Sequence, residues 1–295
     1  MTNPGIDKYL YRPSFLCGIR QQTRITKGES ESNITNMARI FITGSSDGLG
    51  AVAARTLLKK GHQVVIHARN AQRAEEAKSA VPDAEAVLIG DLSKIDEVKK
   101  LAADANKLGT FDVIIHNAGF YRGPYRKTDL GLPTLYAVNV FAPYLLTALI
   151  NRPKRLIYIS SGLHKSGDSS FTDPTWRGRG EQGWNDDQAY RDSKLHITTF
   201  ANAIARLWPD VRSNSVDPGW VPTKMGGQSA TGKAEDGVAS YVLLAEGTGA
   251  GDVTGKYFKP PGQEDDSVPF TSDEKRQAEL LKLLEQETGV TLPVA

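Results

Sequence analysis

"TGSSDGLG", Thr43 to Gly50, is the stretch on which the fold turns. It follows the apolar run "ARIFI" and leads into "DGLGAVAARTLLKKG", where Leu49, Val52, Ala53 and Leu57 share one helical face and Gly61 stops the helix. Glycines at 44, 48 and 50 permit a sharp turn, a close backbone approach and tight helix packing. The helix that starts there offers unpaired N–H groups and the positive end of its dipole, a seat for a pyrophosphate. A glycine cluster alone is a weak signal, and the strand before it and helix after it are the context that gives it meaning.

Outward from this turn, short apolar runs alternate with helical patterns. "HQVVIHA", "AEAVLIG", "FDVIIHN" and "KRLIYIS" follow "ARIFI", and "SNSVDPG" and "TGKYF" make a sixth and seventh strand. Near-continuous apolar runs suit strands covered on both faces, and their alternation with helices predicts a parallel sheet. The expected architecture is α/β: one domain over residues 37–260, a doubly wound parallel seven-stranded sheet with helices on both faces. Residues 1–36, broken by Pro4, Gly5, Pro13, Gly18 and Gly28, read as a poorly structured extension. Residues 261–295 read as a tail ending in a helix, with Ser272 as N-cap and Leu280, Leu281 and Leu284 as an apolar stripe. That stripe would dock on the domain or on a second subunit.

The 295 residues carry 36 basic and 34 acidic side chains, a net charge of +2 without a long single-sign block. Neither nucleic acid nor a membrane surface is implied as the main partner, which leaves a small molecule. One cysteine, Cys17, excludes an internal disulfide framework, and the five His show no metal-ligand spacing, so no metal is expected. No apolar run approaches the roughly 18 residues of a membrane span, and the expected location is the cytoplasm. Arg12, Arg20 and Arg24 leave a presequence open, with Asp7, Glu29 and Glu31 against it.

The chain resembles the short-chain dehydrogenase/reductase family in its compact branch, on ordered landmarks: T-G-x-x-x-G-x-G at Thr43–Gly50, Asp91 in "GDLS", "NAG" at 117–119, Asn139 in "YAVNVFAPY", the serines 160 and 161, Tyr190 with Lys194, and "DPGWVPT" at 217–223. The resemblance implies a Rossmann fold, a nicotinamide cofactor and a homodimer or homotetramer. It implies that Tyr190 exchanges a proton with a carbonyl or alcohol, that Lys194 supports it and binds the nicotinamide ribose, that Ser161 polarises the substrate oxygen, and that Asn139 positions a water. A free Tyr titrates near pH 10, so a neighbouring ammonium would favour its phenolate. By itself a Tyr and a Lys four apart on a helix share a face by geometry alone.

The resemblance also assigns the cofactor's contacts. Gly44, Ser46, Gly48, Leu49 and Gly50 form the turn, Asp91 and Leu92 meet the adenine, Asn117 and Gly119 line the cleft, and Pro218, Gly219, Val221 and Thr223 approach the nicotinamide. At the end of the second strand, in "HARN", Ala68 and Arg69 stand where an acid would bind the ribose of NAD, so NADP(H) is expected over NAD(H). Asp47 in the turn counts against this. Phe120, Tyr121, Trp184 and Met225 are candidates for the substrate. The chain departs from the usual pattern between Ser161 and Tyr190, where 190 − 161 = 29 positions make the insertion 162–189. This spacing is similar to that of retinol dehydrogenases, WW-domain oxidoreductases and protochlorophyllide reductases. Its Trp176 and Trp184 either line a pocket for a bulky substrate or pack the insertion down. "TKMGGQSATG", Thr223 to Gly232, reads as a lid or a plain flexible loop.

The leading expectation is an NADP(H)-dependent carbonyl reductase or alcohol dehydrogenase. A redox-sensing or scaffolding module that binds NADP(H) without turnover is the alternative, and the full Tyr/Lys/Ser/Asn set argues against it. An epimerase or dehydratase is disfavoured by the glycine spacing.

Overall fold

The structure is a computed structural model that describes residues 37–294. The extension 1–36, with its presequence reading and Cys17, lies outside the described residues. β1 (Arg39–Ile42) enters the glycine turn, and α1 (Gly48–Lys59) leads to β2 (Gln63–Ala68). There follow α2 (Ala71–Ala80), β3 (Ala86–Ile89), α3 (Ile95–Lys107) and β4 (Val113–His116). The second half has α4 (Thr134–Tyr136), α5 (Ala142–Leu149), β5 (Arg155–Ile159), α6 (Asp186–Leu207), β6 (Arg212–Val216), α7 (Ala234–Glu246), β7 (Tyr257–Lys259), β8 (Gln263–Asp265) and α8 (Glu274–Thr288).

The strands form one sheet in the order β3-β2-β1-β4-β5-β6-β7-β8, parallel except for β8, which pairs antiparallel with β7. Eight strands replace the expected seven: Gly262 turns the chain at φ 95° and lays Gln263–Asp265 along the edge, inside the segment read as tail. The order reverses between β1 and β4, and ligands of open α/β sheets bind at the carboxyl ends of strands at such a point.

Two cores cover the two faces. On one side Ile40, Ile42, Val64, Ile66 and Ile115 pack under α1 and α7 residues such as Leu57 and Val238. On the other, Phe41, Ile114, Leu156 and Tyr158 meet α3, α5, α6 and α8. Strands β1 to β5 are largely apolar at successive positions because both sides of the sheet are buried there, whereas β6 buries Ser213, Asn214 and Ser215. α8 settles where the leucine stripe goes: Leu280 and Leu284 are fully buried against the domain itself. Its N-cap is Asp273 in place of the expected Ser272, since the carboxylate accepts the N–H groups of Lys275 and Arg276. Among the described residues no helix is long and apolar enough to cross a membrane.

Candidate active site

The glycine turn is built around close approach. Gly44 has φ 63°, and a Cβ there would stand 2.7 Å from the Ala118 Cα. A Cβ at Gly50 would meet Asn117 Nδ2 and the Gly44 carbonyl at 2.5 Å. Asn117 braces the turn, donating to the Thr43 and Gly44 carbonyls at 3.0 and 2.9 Å. His67 braces it from the other side: Nδ1 accepts the Gly44 N–H and Nε2 donates to the Gly90 carbonyl, both at 2.9 Å. This takes a neutral ring, and burial lowers the His67 pKa to about 4.

Asp47 opens α1 without capping it. Its carboxylate turns away to Arg73 at 2.7 Å and Lys224 at 2.9 Å, so the first-turn N–H groups carry no side-chain cap and remain for an anion. Burial raises its pKa, but the hydrogen bonds from Lys224 and Arg73 bring it below the usual value. Arg73, in the first turn of α2, also donates to Ser46 Oγ at 2.9 Å and pairs with Glu76. Sequence reasoning singled out Arg69, which is exposed, and missed Arg73, four positions on and one helical turn further. The Arg-x-x-x-Arg spacing was the available signal. Asp91 accepts the backbone N–H and the hydroxyl of Ser93, and Leu92 is buried beside it.

At the switch point the four catalytic candidates converge from three places: the turn carrying Asn139, the segment after β5 carrying Ser161, and α6 carrying Tyr190 and Lys194. Asn139 lies in a π-helical turn, Ala137–Phe141, between α4 and α5, a distortion frequent at functional sites. Its Oδ1 accepts the Phe120 N–H at 2.7 Å, and its Nδ2 donates to the Phe120 carbonyl and to Ser193 Oγ at 2.9 Å. Ser193 donates onward to the Tyr190 carbonyl at 2.7 Å. Lys194, 4% exposed, donates to the Ile159 carbonyl at 2.7 Å, and its Nζ is 5.4 Å from the Tyr190 ring centroid. Burial lowers its pKa to about 8, with the Asp217 carboxylate acting the other way.

Tyr190 is 8% exposed. Burial pushes its phenol up, a hydrogen bond with the Ser161 side chain pulls it down, and the nearby Asp217 and Tyr121 add to the rise. Burial and the nearby negative groups thus outweigh the Ser161 hydrogen bond, and the phenol lies above its ordinary value. The two serines divide: Ser160 is buried and engaged with Thr198 and the Lys194 carbonyl, whereas Ser161 faces Tyr190.

Around this centre stand Phe120, Leu163 and Tyr121, whose ring meets that of Tyr190 edge-on at 4.5 Å. Thr223, Lys224 and Met225 cross the cleft together. A Cβ at Gly48 would touch Thr223 Cγ2 at 3.6 Å, and one at Gly119 would meet Met225 Cε at 3.8 Å and Lys194 Nζ at 3.7 Å. Gly219, at φ 75°, follows Pro218 at the start of this loop and donates to Asp217, and Val221 is buried under it. The insertion's tryptophans pack: Trp176 is 2% exposed, and the Trp184 indole N–H donates to the Gly123 carbonyl at 2.9 Å. A groove of about 410 Å³ between Ser93, Thr128, Phe141 and Glu287 contains none of the catalytic candidates.

The family model for short chain dehydrogenase matches residues 38–167. Short-chain dehydrogenase chry4 of Gibberella zeae is 49% identical over 257 residues, covering 87% of this chain and 99% of that protein. Retinol dehydrogenase 14 of Homo sapiens is 27% identical over 294 residues, 85% of this chain and 86% of its own. A protein of Mycobacterium paratuberculosis known from its crystal structure superposes with a TM-score of 0.70 at 25% identity, over 87% of this chain and 95% of that one. An identity of 49% across nearly the whole of a relative, on a sheet whose switch point carries the glycine turn, places the chain in the short-chain dehydrogenase/reductase family of oxidoreductases, which bind a nicotinamide cofactor.

Proposed function

We propose that the chain transfers a hydride between NADP(H) and a small-molecule carbonyl or alcohol, with Tyr190 as general acid and base. The observation that carries this reading is Tyr190 itself, buried, hydrogen-bonded with Ser161 and one helical turn from a buried Lys194. Burial keeps the phenol protonated, the form that gives a proton to a carbonyl oxygen. Lys194, at about 8, is mainly cationic at neutral pH and favours the phenolate left behind. Ser161 shares the substrate oxygen with Tyr190. Asn139 holds the Phe120 backbone on one side and, through Ser193, the Tyr190 carbonyl on the other, which fixes the floor of the site.

The cofactor supplies or accepts the hydride when bound. The uncapped turn at Gly44–Gly50 suits its pyrophosphate, Asp91, Leu92 and Asn117 its adenosine side, and Gly119, Pro218, Val221 and Thr223 its nicotinamide side. Preference for the 2′-phosphate is supported by charge. At that corner Arg73 and Lys224 both pair with Asp47, so the acid that counted against NADP(H) already has two cationic partners, and Arg69 stands exposed at the end of β2. The alcohol in the name of retinol dehydrogenase 14 agrees with a carbonyl and alcohol pair.

The test follows NADPH oxidation across aldehydes, ketones, quinones and retinoids. Tyr190→Phe is expected to lower kcat about 10²- to 10⁴-fold while retaining NADPH binding. Tight NADPH binding without turnover of any carbonyl by the unaltered chain would replace the enzyme with a sensing or scaffolding module.

A further inference from the structure

Three hydrogen bonds and one ion pair of residues 162–189 converge on one carboxylate. Asp192 lies on α6 between Tyr190 and Lys194 and is 2% exposed. Its Oδ1 accepts the backbone N–H of Asp168 and the side-chain N–H of Gln188, both at 2.8 Å. Its Oδ2 accepts the indole N–H of Trp176 at 2.8 Å and faces the Arg179 guanidinium at 3.9 Å. Arg179 lies 4.0 Å from the Trp176 ring centroid and pairs with Asp168 and Asp173. A buried carboxylate is costly unless donors surround it, and here every donor but Gln188 comes from the insertion's outer part. Trp176 reaches it with φ 61°, a conformation that L-residues avoid.

From Trp176 the contacts lead to the catalytic phenol. Trp176 shares an apolar cluster with Leu135, Ala189 and Tyr190. Trp184 stands edge-on to it at 5.5 Å and, on its other side, meets Tyr125 at 5.3 Å while donating to Gly123. Asp186 accepts the Gly123 N–H at 3.1 Å. Besides its anchors of Arg177 on Glu287 of α8 and Lys165 on Asp265, the insertion is thus fastened to the catalytic helix at Asp192 and to the loop 120–125 at Trp184, and Tyr190 packs against both Trp176 and Tyr121 between these last two.

We propose that Asp192 is a positioning residue for Tyr190: by gathering the insertion onto the back of α6, it holds Trp176 and the loop carrying Tyr121 in the packing that aims the phenol. The proposal rests on Tyr190 as the acid and base. Its test measures kcat, the KM of the carbonyl, NADPH Kd and thermal stability in the full chain for Asp192→Asn, Trp176→Phe and Tyr190→Phe. Asp192→Asn puts an amide N–H against one pair of donors, and Trp176→Phe keeps a ring but removes one hydrogen bond. A fall in kcat of about 10- to 100-fold is expected for Asp192→Asn, with NADPH Kd unchanged, and a smaller fall in the same sense for Trp176→Phe. A folded Asp192→Asn with full kcat overturns the proposal, as does a loss of kcat matched by an equal weakening of NADPH binding. If Asp192→Asn does not fold, Trp176→Phe decides alone. Tyr190→Phe separates the two ideas: if it is fully active, the acid and base reading falls and takes the proposal with it. If it is inactive while Asp192→Asn is not, only the positioning role falls.

Discussion

Arg73 and Asp47 show how much at the cofactor corner depends on a single helical turn. Read along the chain, Asp47 is an acid facing a phosphate site; in the fold it is the shared partner of two cations from α2 and the loop after β6. The pairing was not legible because Asp47 and Arg73 meet only once β2 has run beside β1 and α2 has folded back. Charge-assisted hydrogen bonds are worth about 1.5–3 kcal/mol, so Arg73→Ala should lower the NADPH/NADH preference about 10- to 100-fold, and Arg69→Asp should reverse it. Steady-state kcat/KM with both cofactors measures this, and an unaltered ratio in both variants would sink the NADP reading. Tyr190, Lys194 and the glycines were weak signals singly, since spacing alone puts any such pair on one helical face, and became legible only as members of an ordered series of landmarks. The choice of Ser161 over Ser160 was not, because it depends on which face of β5 meets α6 and Thr198.

Among the elements, the first five strands stood out as apolar runs and β6 and β7 were read from "SNSVDPG" and "TGKYF", while β8 did not stand out. Gln263, Glu264 and Asp265 have no apolar alternation, and backbone pairing with Tyr257–Lys259 alone makes them a strand. Charged residues on a short edge strand also discourage further pairing. The tail's role is a matter of energy as well as place. Leu284 is fully buried beside α6, and its replacement by Ala should cost about 2–5 kcal/mol in chemical denaturation while leaving NADPH affinity unchanged. A cost below 1 kcal/mol, small against that range, would mean that α8 is only loosely docked. The aromatic insertion left two readings open because composition cannot say which way an indole faces; in the fold Trp176 and Trp184 both donate their indole N–H groups to the protein, while Trp184 also packs in the apolar cluster that holds Tyr121 and Tyr190.

Over the whole molecule, three of the five buried histidines contribute most to the response to acid through burial. Burial lowers His67 to about 4, and His116 and His196 to about 3, against an ordinary 6.5. Each is neutral in the fold, with His116 bonded to Thr147 and His196 to Tyr136. Unfolding below pH 6.5 would therefore take up protons that the fold excludes. Their contribution is fully present above that value and falls as pH drops toward 4, by up to about 2 kcal/mol per ring between pH 7 and pH 5. Denaturation midpoints across this range should fall steadily with pH, and a flat profile would refute the neutral-ring account. The tail carries one more consequence. The carbonyls of Val290, Pro293 and Val294 accept from Tyr144, Trp208 and Arg152, so residues 290–294 extend the cover that α8 makes over α5 and α6. During synthesis the catalytic helix leaves the ribosome well before α8 does, and until then one flank of it is open to water. Until α8 and residues 290–294 dock, the apolar surface they cover is exposed in the way that draws chaperones to folding intermediates.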